Sequence, residues 1–371
     1  MRMRTLGVPV LAATLTIVLT PVGATAATAS FGPRLDVPAG EFAHYVAAGD
    51  LDGDGRPDMA VASGTSGTVS VRLSRDGGFR AMPDVPTPSR PMTVDIADVT
   101  GDGRPDLVTA DLGGTVSVHP GRGDGRFRAA RSIDLGGSSN PWGVDAADLD
   151  GDRDLDLVVG LTGLPEIHVF RNDGRGRFTA GQIVEFGYGD FNAVRVADLN
   201  SDGRADLVAT ETLASRLAVL LGTGPATFGE PQRINLINDT SPAVLGDYDS
   251  DGVLDIVASR RESFADSGWL LHGNGDGTFA EPVTIPVRWS ETATGGDFDG
   301  DGRADVAFAT ASVVFVLLGN GDGTFQEALE LPVDGQVGVP AAADFNGDGK
   351  DDLAVPNGYG LPSTVWVFPT T

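Results

Sequence analysis

The chain contains no cysteine. That excludes a disulfide framework, a lipid-anchoring thiol and a cysteine nucleophile, so a fold exposed to an oxidising exterior needs another staple. Histidine is scarce, at four in 371 residues, and no Gly-x-Ser-x-Gly elbow occurs, which thins the case for hydrolytic catalysis. Basic residues number 26 against 52 acidic ones, a formal net charge of −26. Such a balance argues against nucleic acid and anionic membrane as partners. Beyond residue 29 no apolar run is long enough to span a bilayer.

The acidic residues that are present are ordered. GDLDGDGRPDMAVAS begins at Gly49, and versions of it follow from Ala97, Ala147, Ala197, Gly246, Gly296 and Ala343. The leading aspartates, 50, 98, 148, 198, 247, 297 and 344, are 47 to 50 residues apart. A period near fifty marks a repeat architecture and takes precedence over length, which alone would allow two domains. A Gly-rich turn ending in Phe runs out of phase with the loops, at Phe79, Phe127, Phe178, Phe228, Phe279 and Phe325, and Phe31 stands near the start without its turn. The chain thus opens and closes with complementary part-repeats, as a closed ring requires.

Each unit offers four short strands: one into the acidic loop, one after it, and one on each side of the Gly-Phe turn. The expectation is all-β, a seven-bladed β-propeller of four-stranded antiparallel blades over residues 30–371, its last blade completed by the N-terminal strand. The small residue before each loop fits an inner strand crowded at a central axis. A solenoid would need capping units instead.

Numbered from the leading Asp, carboxylates recur at positions 1, 3, 5 and 9. They are Asp50, Asp52, Asp54 and Asp58 in the first loop, and Asp98, Asp102 and Asp106, with Thr100 at position 3, in the second. The third has Asp148, Asp150, Asp152 and Asp156; the fourth has Asp198, Asn200, Asp202 and Asp206. Asp247, Asp249, Asp251 and Asp255 form the fifth, and Asp297, Asp299, Asp301 and Asp305 the sixth. Asp344, Asn346, Asp348 and Asp352 form the seventh. Calcium takes six to eight hard oxygen ligands, and such a turn supplies half a shell, with a backbone carbonyl at position 7, that of Arg56 in the first loop, able to join. Position 6 is Gly except at Arg153, which puts the third turn in question, and the first, fifth and sixth loops are expected to be strongest. An EF-hand is excluded because its twelfth position is Val61 or Phe308 and β-prone segments follow. Seven loops at ten times their Kd would stabilise the fold by about 10 kcal/mol.

These loops, with turns such as GNGDGTF, resemble FG-GAP/VCBS repeats, the kind that build the integrin α-subunit propeller. The resemblance implies calcium in the hairpin between the first and second strands of each blade. The Gly-Ala-Pro element is absent, FAEP and FGEP being nearest, so the resemblance is to the bacterial secreted branch and implies no integrin-like partner.

Residues 1–29 have the pattern of a secretory signal: MRMR, an apolar core, then Ala-Thr-Ala at 24–26 or 27–29. A secreted, calcium-binding, non-catalytic module for an extracellular glycan or protein is the expected function. Its recognition surface is expected in variable loops at the end opposite the acidic ones: 89–91, 140–142, 190–192, 260–268 and 356–362. Trp142 and Trp289 could stack on a sugar or pack between blades. The alternative is a calcium-dependent polysaccharide lyase or hydrolase. For that, His44 is expected at the channel mouth, whereas His119, His168 and His272 lie in third strands, where packing is expected.

Overall fold

The computed structural model describes residues 29–136, 139–187, 189–236, 243–259, 268–287, 290–358 and 363–371. Residues 1–28 of the expected secretory signal (1–29), Trp289, and much of the loops at 260–268 and 356–362 lie outside them. Seven sheets of four antiparallel strands form a ring. Blade 1 comprises Ala43–Gly49, Asp58–Ser63, Thr68–Arg75 and Gly78–Ala81. The same plan repeats up to blade 6, Thr292–Gly296, Asp305–Ala309, Val313–Leu317 and Leu329–Pro332. The second strands are continuous apolar runs buried on both faces, as expected of strands sandwiched between neighbouring sheets. The fourth strands are largely exposed.

Blade 7 closes the ring. Ala341–Ala343, Asp352–Asn357 and Thr364–Phe368 are joined at the outer edge by Leu35–Pro38. That strand pairs antiparallel with the C-terminal one, Leu35 opposite Val367 and Pro38 opposite Thr364. On the inside, Val46 N donates to Val339 O at 3.1 Å and Val339 N to His44 O at 2.7 Å, stitching blade 1 to the entry of blade 7. The crowding expected at the inner strands is there: a Cβ added to Gly49 would lie 3.0 Å from Ile96, and one at Gly296 would lie 2.9 Å from Ala342.

A second sevenfold element holds the blades to each other. Position 2 of every acidic loop is apolar and buried: Leu51, Val99, Leu149, Leu199, Tyr248, Phe298 and Phe345. The Phe of the next blade's Gly-rich turn packs in the same cluster, Phe127 with Leu51, Phe178 with Val99, Phe228 with Leu149 and Phe279 with Leu199. Where both partners are aromatic, the rings meet at 5.7 Å (Tyr248–Phe325), 6.2 Å (Phe298–Phe31) and 5.6 Å (Phe345–Phe79). Backbone bonds reinforce the step, Gly125 N to Leu51 O at 3.0 Å and Gly323 N to Tyr248 O at 3.0 Å. This contact is a staple that needs no cysteine.

Candidate metal-binding loops

All seven acidic loops connect first and second strands and share one end of the ring with the Gly-Phe turns. The chain turns sharply there because positions 4 and 6 both have left-handed backbone, for example Gly53 at φ +79° and Gly55 at +88°. Arg153, at φ +76°, keeps the third turn in the same shape, at a cost of about 1–2 kcal/mol for a non-Gly residue.

The carboxylates at positions 1 and 9 are both built into the fold. Position 1 gathers the turn's own N–H groups: Asp50 Oδ1 accepts from Gly53 N at 2.7 Å and Oδ2 from Gly55 N at 2.9 Å. Position 9 is buried in every loop and ties the two turns of its blade together. Asp305 Oδ2 accepts from Phe298 N at 2.8 Å and Oδ1 from Gly319 N at 2.7 Å. Asp58, Asp156 and Asp352 do the same. Burial pushes these acids up, Asp58, Asp156 and Asp352 to about 6 and Asp305 to about 7. Each is an acid whose charged form lacks a counter-ion.

Position 5 accepts from the N–H of position 7, as Asp54 Oδ1 does from Arg56 N at 3.0 Å and Asp301 Oδ1 from Arg303 N at 2.9 Å; position 3 is the most open to a cation, and the loops differ in how they present it. Carboxylate oxygens within 4.8 Å of one another occur on Asp50, Asp52 and Asp58; on Asp148, Asp150 and Asp156; and on Asp297, Asp299 and Asp305. In the fifth loop Asp247, Asp249 and Asp251 converge, and so do Asp249, Asp255 and His272. These groups could hold a metal ion. The first, fifth and sixth loops are those expected to be strongest, and the third joins them despite Arg153. Asp52 Oδ1 and Asp299 Oδ2 are buried with no hydrogen-bond partner, and burial, then Asp301, push Asp299 up. An all-oxygen group that holds a buried, unpartnered carboxylate oxygen is what a hard divalent cation fits.

The remaining loops are built differently. Thr100 hydroxyl turns to Asp106 at 3.4 Å. Asn200 and Asn346, expected as oxygen donors, point Nδ2 at carboxylates instead, Asp202 at 3.1 Å and Asp348 and Asp352 at 3.2 and 3.0 Å. Their Oδ1 atoms accept from the N–H of position 5. The amide thus supplies part of the positive charge itself. Arg56 can offer a metal only its carbonyl, because a guanidinium has no lone pair to give; its side chain pairs with Asp76 at 2.7 Å.

Three features went unseen in the sequence. Arg75 reaches back into the first loop, pairing with Asp54 at 2.9 Å and with Asp52. His272 Nδ1 lies 3.1 Å from Asp249, at the edge of the fifth cluster; packing was expected of it. The apolar plug at position 2 was the third. His119 meets the packing expectation, buried and held down to about 4, and His168 pairs with Glu166 at 2.7 Å. His44, expected at the channel mouth, is half-buried: its ring stacks on Phe42 at 5.5 Å and meets Trp142 edge-on at 5.6 Å. Trp142 is half-buried as well, its ring reaching from blade 3 to a residue of blade 1.

Sequence models of the FG-GAP-like repeat match residues 50–109, 98–159, 162–209, 198–258, 247–308 and 297–355. The chain belongs to the FG-GAP-like repeat family. No curated protein sequence matches it. Among solved structures, this FG-GAP propeller resembles BBS1N, crystallised in complex with ARL6DN, with a TM-score of 0.66 at 12% identity, covering 92% of this chain and 96% of that one. An Agrocybe aegerita lectin that recognises non-reducing terminal N-acetylglucosamine has a TM-score of 0.59 at 21% identity, covering 90% and 86%. A Lactobacillus plantarum protein has a TM-score of 0.62 at 14% identity, covering 80% and 87%. At these identities the likeness is one of fold. No described helix is long and apolar enough to cross a membrane.

Proposed function

We propose that this FG-GAP propeller is an exported, calcium-binding, non-catalytic recognition module for an extracellular glycan or protein. The observation that carries the calcium reading is the pair of unpartnered, buried position-3 oxygens on Asp52 and Asp299, each inside a converging carboxylate group. Calcium supplies the charge those acids lack and ties the hairpin shut; the chain's own residues provide the donors and the rigid ring. Recognition is supported by two structural neighbours that bind partners, one a protein and one a terminal sugar. For the catalytic alternative His44 is the candidate residue, and its ring is already engaged by Phe42 and Trp142.

Four converging loops at ten times their Kd contribute about 1.4 kcal/mol each, about 6 kcal/mol together. At about 2.1 cal/mol/K per residue a chain of this size loses about 0.7 kcal/mol per degree near its midpoint, so EDTA should lower Tm by about 8 degrees. Calcium, more than magnesium, should restore it. An unchanged melt in chelator removes the metal, and a glycan and protein array with the calcium-loaded chain tests recognition. Export is checked by N-terminal sequencing of protein recovered from the medium, which should begin after Ala26 or Ala29.

A further inference from the structure

A cavity of about 680 Å³ opens in the central channel at the acidic-loop end, between the inner strands and the sixth loop. Its wall draws on one layer of the ring, the residues three before each leading aspartate; Asp95 and Arg195 of that layer line the cavity, and Asp145 neighbours both. In chain order that layer is Ala47, Asp95, Asp145, Arg195, Val244, Thr294 and Ala341. Four of the seven blades fill it with small or neutral side chains, so the fold does not demand charge there. Blades 2, 3 and 4 nonetheless place two carboxylates and a guanidinium in it, where desolvation costs several kcal/mol per ion.

The groups are held in place. Arg195 crosses from blade 4 to blade 1, donating to Tyr45 Oη at 3.1 Å and to Val194 O at 2.9 Å. Asp145 accepts from Val196 N and Asp95 from Ile96 N, each at 2.8 Å. Both acids lie in the field of Arg195. Among the described inner strands, those of blades 1 to 4 carry a register shift just upstream, between Ala43 and Tyr45, Pro91 and Thr93, Pro141 and Gly143, and Phe191 and Ala193. Such bulges re-aim side chains beside functional sites. Across the channel, Tyr248 lines the same cavity, 1% exposed, with its hydroxyl unpartnered. The wall beside it is Val244, Ala293, Gly295 and Ala341.

We propose that the channel mouth is a binding site for a small neutral polyhydroxylated molecule, a mono- or disaccharide, read by Asp95, Arg195 and the Tyr248 hydroxyl. The Asp95 carboxylate accepts from ligand hydroxyls, while the guanidinium and the phenol donate to ligand oxygens. Among the lining residues Asp95, Asp297 and Asp305 oppose Arg195 and Arg303, a formal sum of −1 that gives an anionic ligand no attraction. The small-residue wall suits the C–H face of a sugar ring, and the volume lies within the roughly 300–1,000 Å³ of small-molecule sites. This inference rests on the reading of the chain as a recognition module and names its ligand class and place.

The test is titration of the calcium-loaded full chain with glucose, galactose, mannose, N-acetylglucosamine, lactose and cellobiose, read by calorimetry and saturation-transfer NMR. At least one sugar should saturate the wild type. Arg195→Gln should weaken it by about tenfold or more, the worth of a hydrogen bond to a charged group. Tyr248→Phe, which removes a hydroxyl the fold does not use, should weaken it several-fold while leaving Tm unchanged or higher, so a folding failure in the first variant does not decide the matter. Saturable binding unaffected by Tyr248→Phe overturns the channel site and leaves the module reading standing. So does an array hit with no response to any of these sugars. Failure of both the sugars and the array overturns the two together.

Discussion

The position-9 aspartate has two possible roles, metal ligand and structural bracket, and one pair of variants separates them. Asp305→Ala strips the acceptors from Phe298 N and Gly319 N, which it holds at 2.8 and 2.7 Å in a buried site. Each buried donor left unpaired costs about 1–3 kcal/mol. The same substitution relieves the buried charge that pushes Asp305 up to about 7, so the net loss at neutral pH falls toward the lower end, about 2–4 kcal/mol. At about 0.7 kcal/mol per degree that is a Tm fall of about 3–6 degrees. The measurement is calorimetric melting in excess EDTA, where no metal contributes. Asp299→Asn is the counterpart. Its Oδ2 has no partner and its Oδ1 accepts only from Asp301 N at 3.2 Å, a bond that an Asn oxygen keeps. Neutralising it removes repulsion from Asp301 and Asp297. This variant should melt at or above wild type in EDTA and lose calcium stabilisation in its loop. If Asp305→Ala melts with wild type in chelator, the bracket is not structural and the position-9 acids serve metal alone.

Asp111, buried with Oδ1 unpartnered and pushed up to about 6 by burial, binds its proton more tightly folded than unfolded. Stability should therefore rise as pH falls from about 7 to about 4, by up to about 3 kcal/mol; Asp111→Asn should flatten that slope and raise Tm at about pH 8 in a pH series of melts. Arg75→Gln withdraws the guanidinium from Asp52 and Asp54, so calcium affinity at the first loop should rise, seen as a tighter class of sites by calorimetry. Deleting residues 29–38 removes the strand that covers Thr364–Phe368 and exposes a sheet edge; size-exclusion chromatography should show oligomers where the full chain elutes as one species.

The blade count, the ring closure and the acidic loops were legible in the sequence because each recurs in identity at a fixed period, and recurrence is what a linear text displays. The position-2 plug recurs too, but only as hydrophobicity: Leu, Val, Leu, Leu, Tyr, Phe and Phe share no letter, and the aspartates on either side draw the eye. Its partner, the turn Phe, was visible without the contact that explains it.

The channel cluster lies beyond what a repeat-based reading can reach. Arg195 and Tyr45 are 150 positions apart and meet only because the ring brings blade 4 opposite blade 1. Asp95, Asp145 and Arg195 are departures from their own repeat position, and departures average out when copies are aligned to find a consensus. In a repeat protein the consensus specifies the scaffold, since every copy must bury the same faces. Individual chemistry has to be written in residues that break it. His272 and Tyr248 are breaks of the same kind, polar groups at aligned positions where neighbouring blades hold Leu221 and Leu318, or Leu199 and Phe298. The place to look for function in such a chain is therefore the residual after the repeat is subtracted, and here Asp95, Arg195 and Tyr248 of that residual line one cavity.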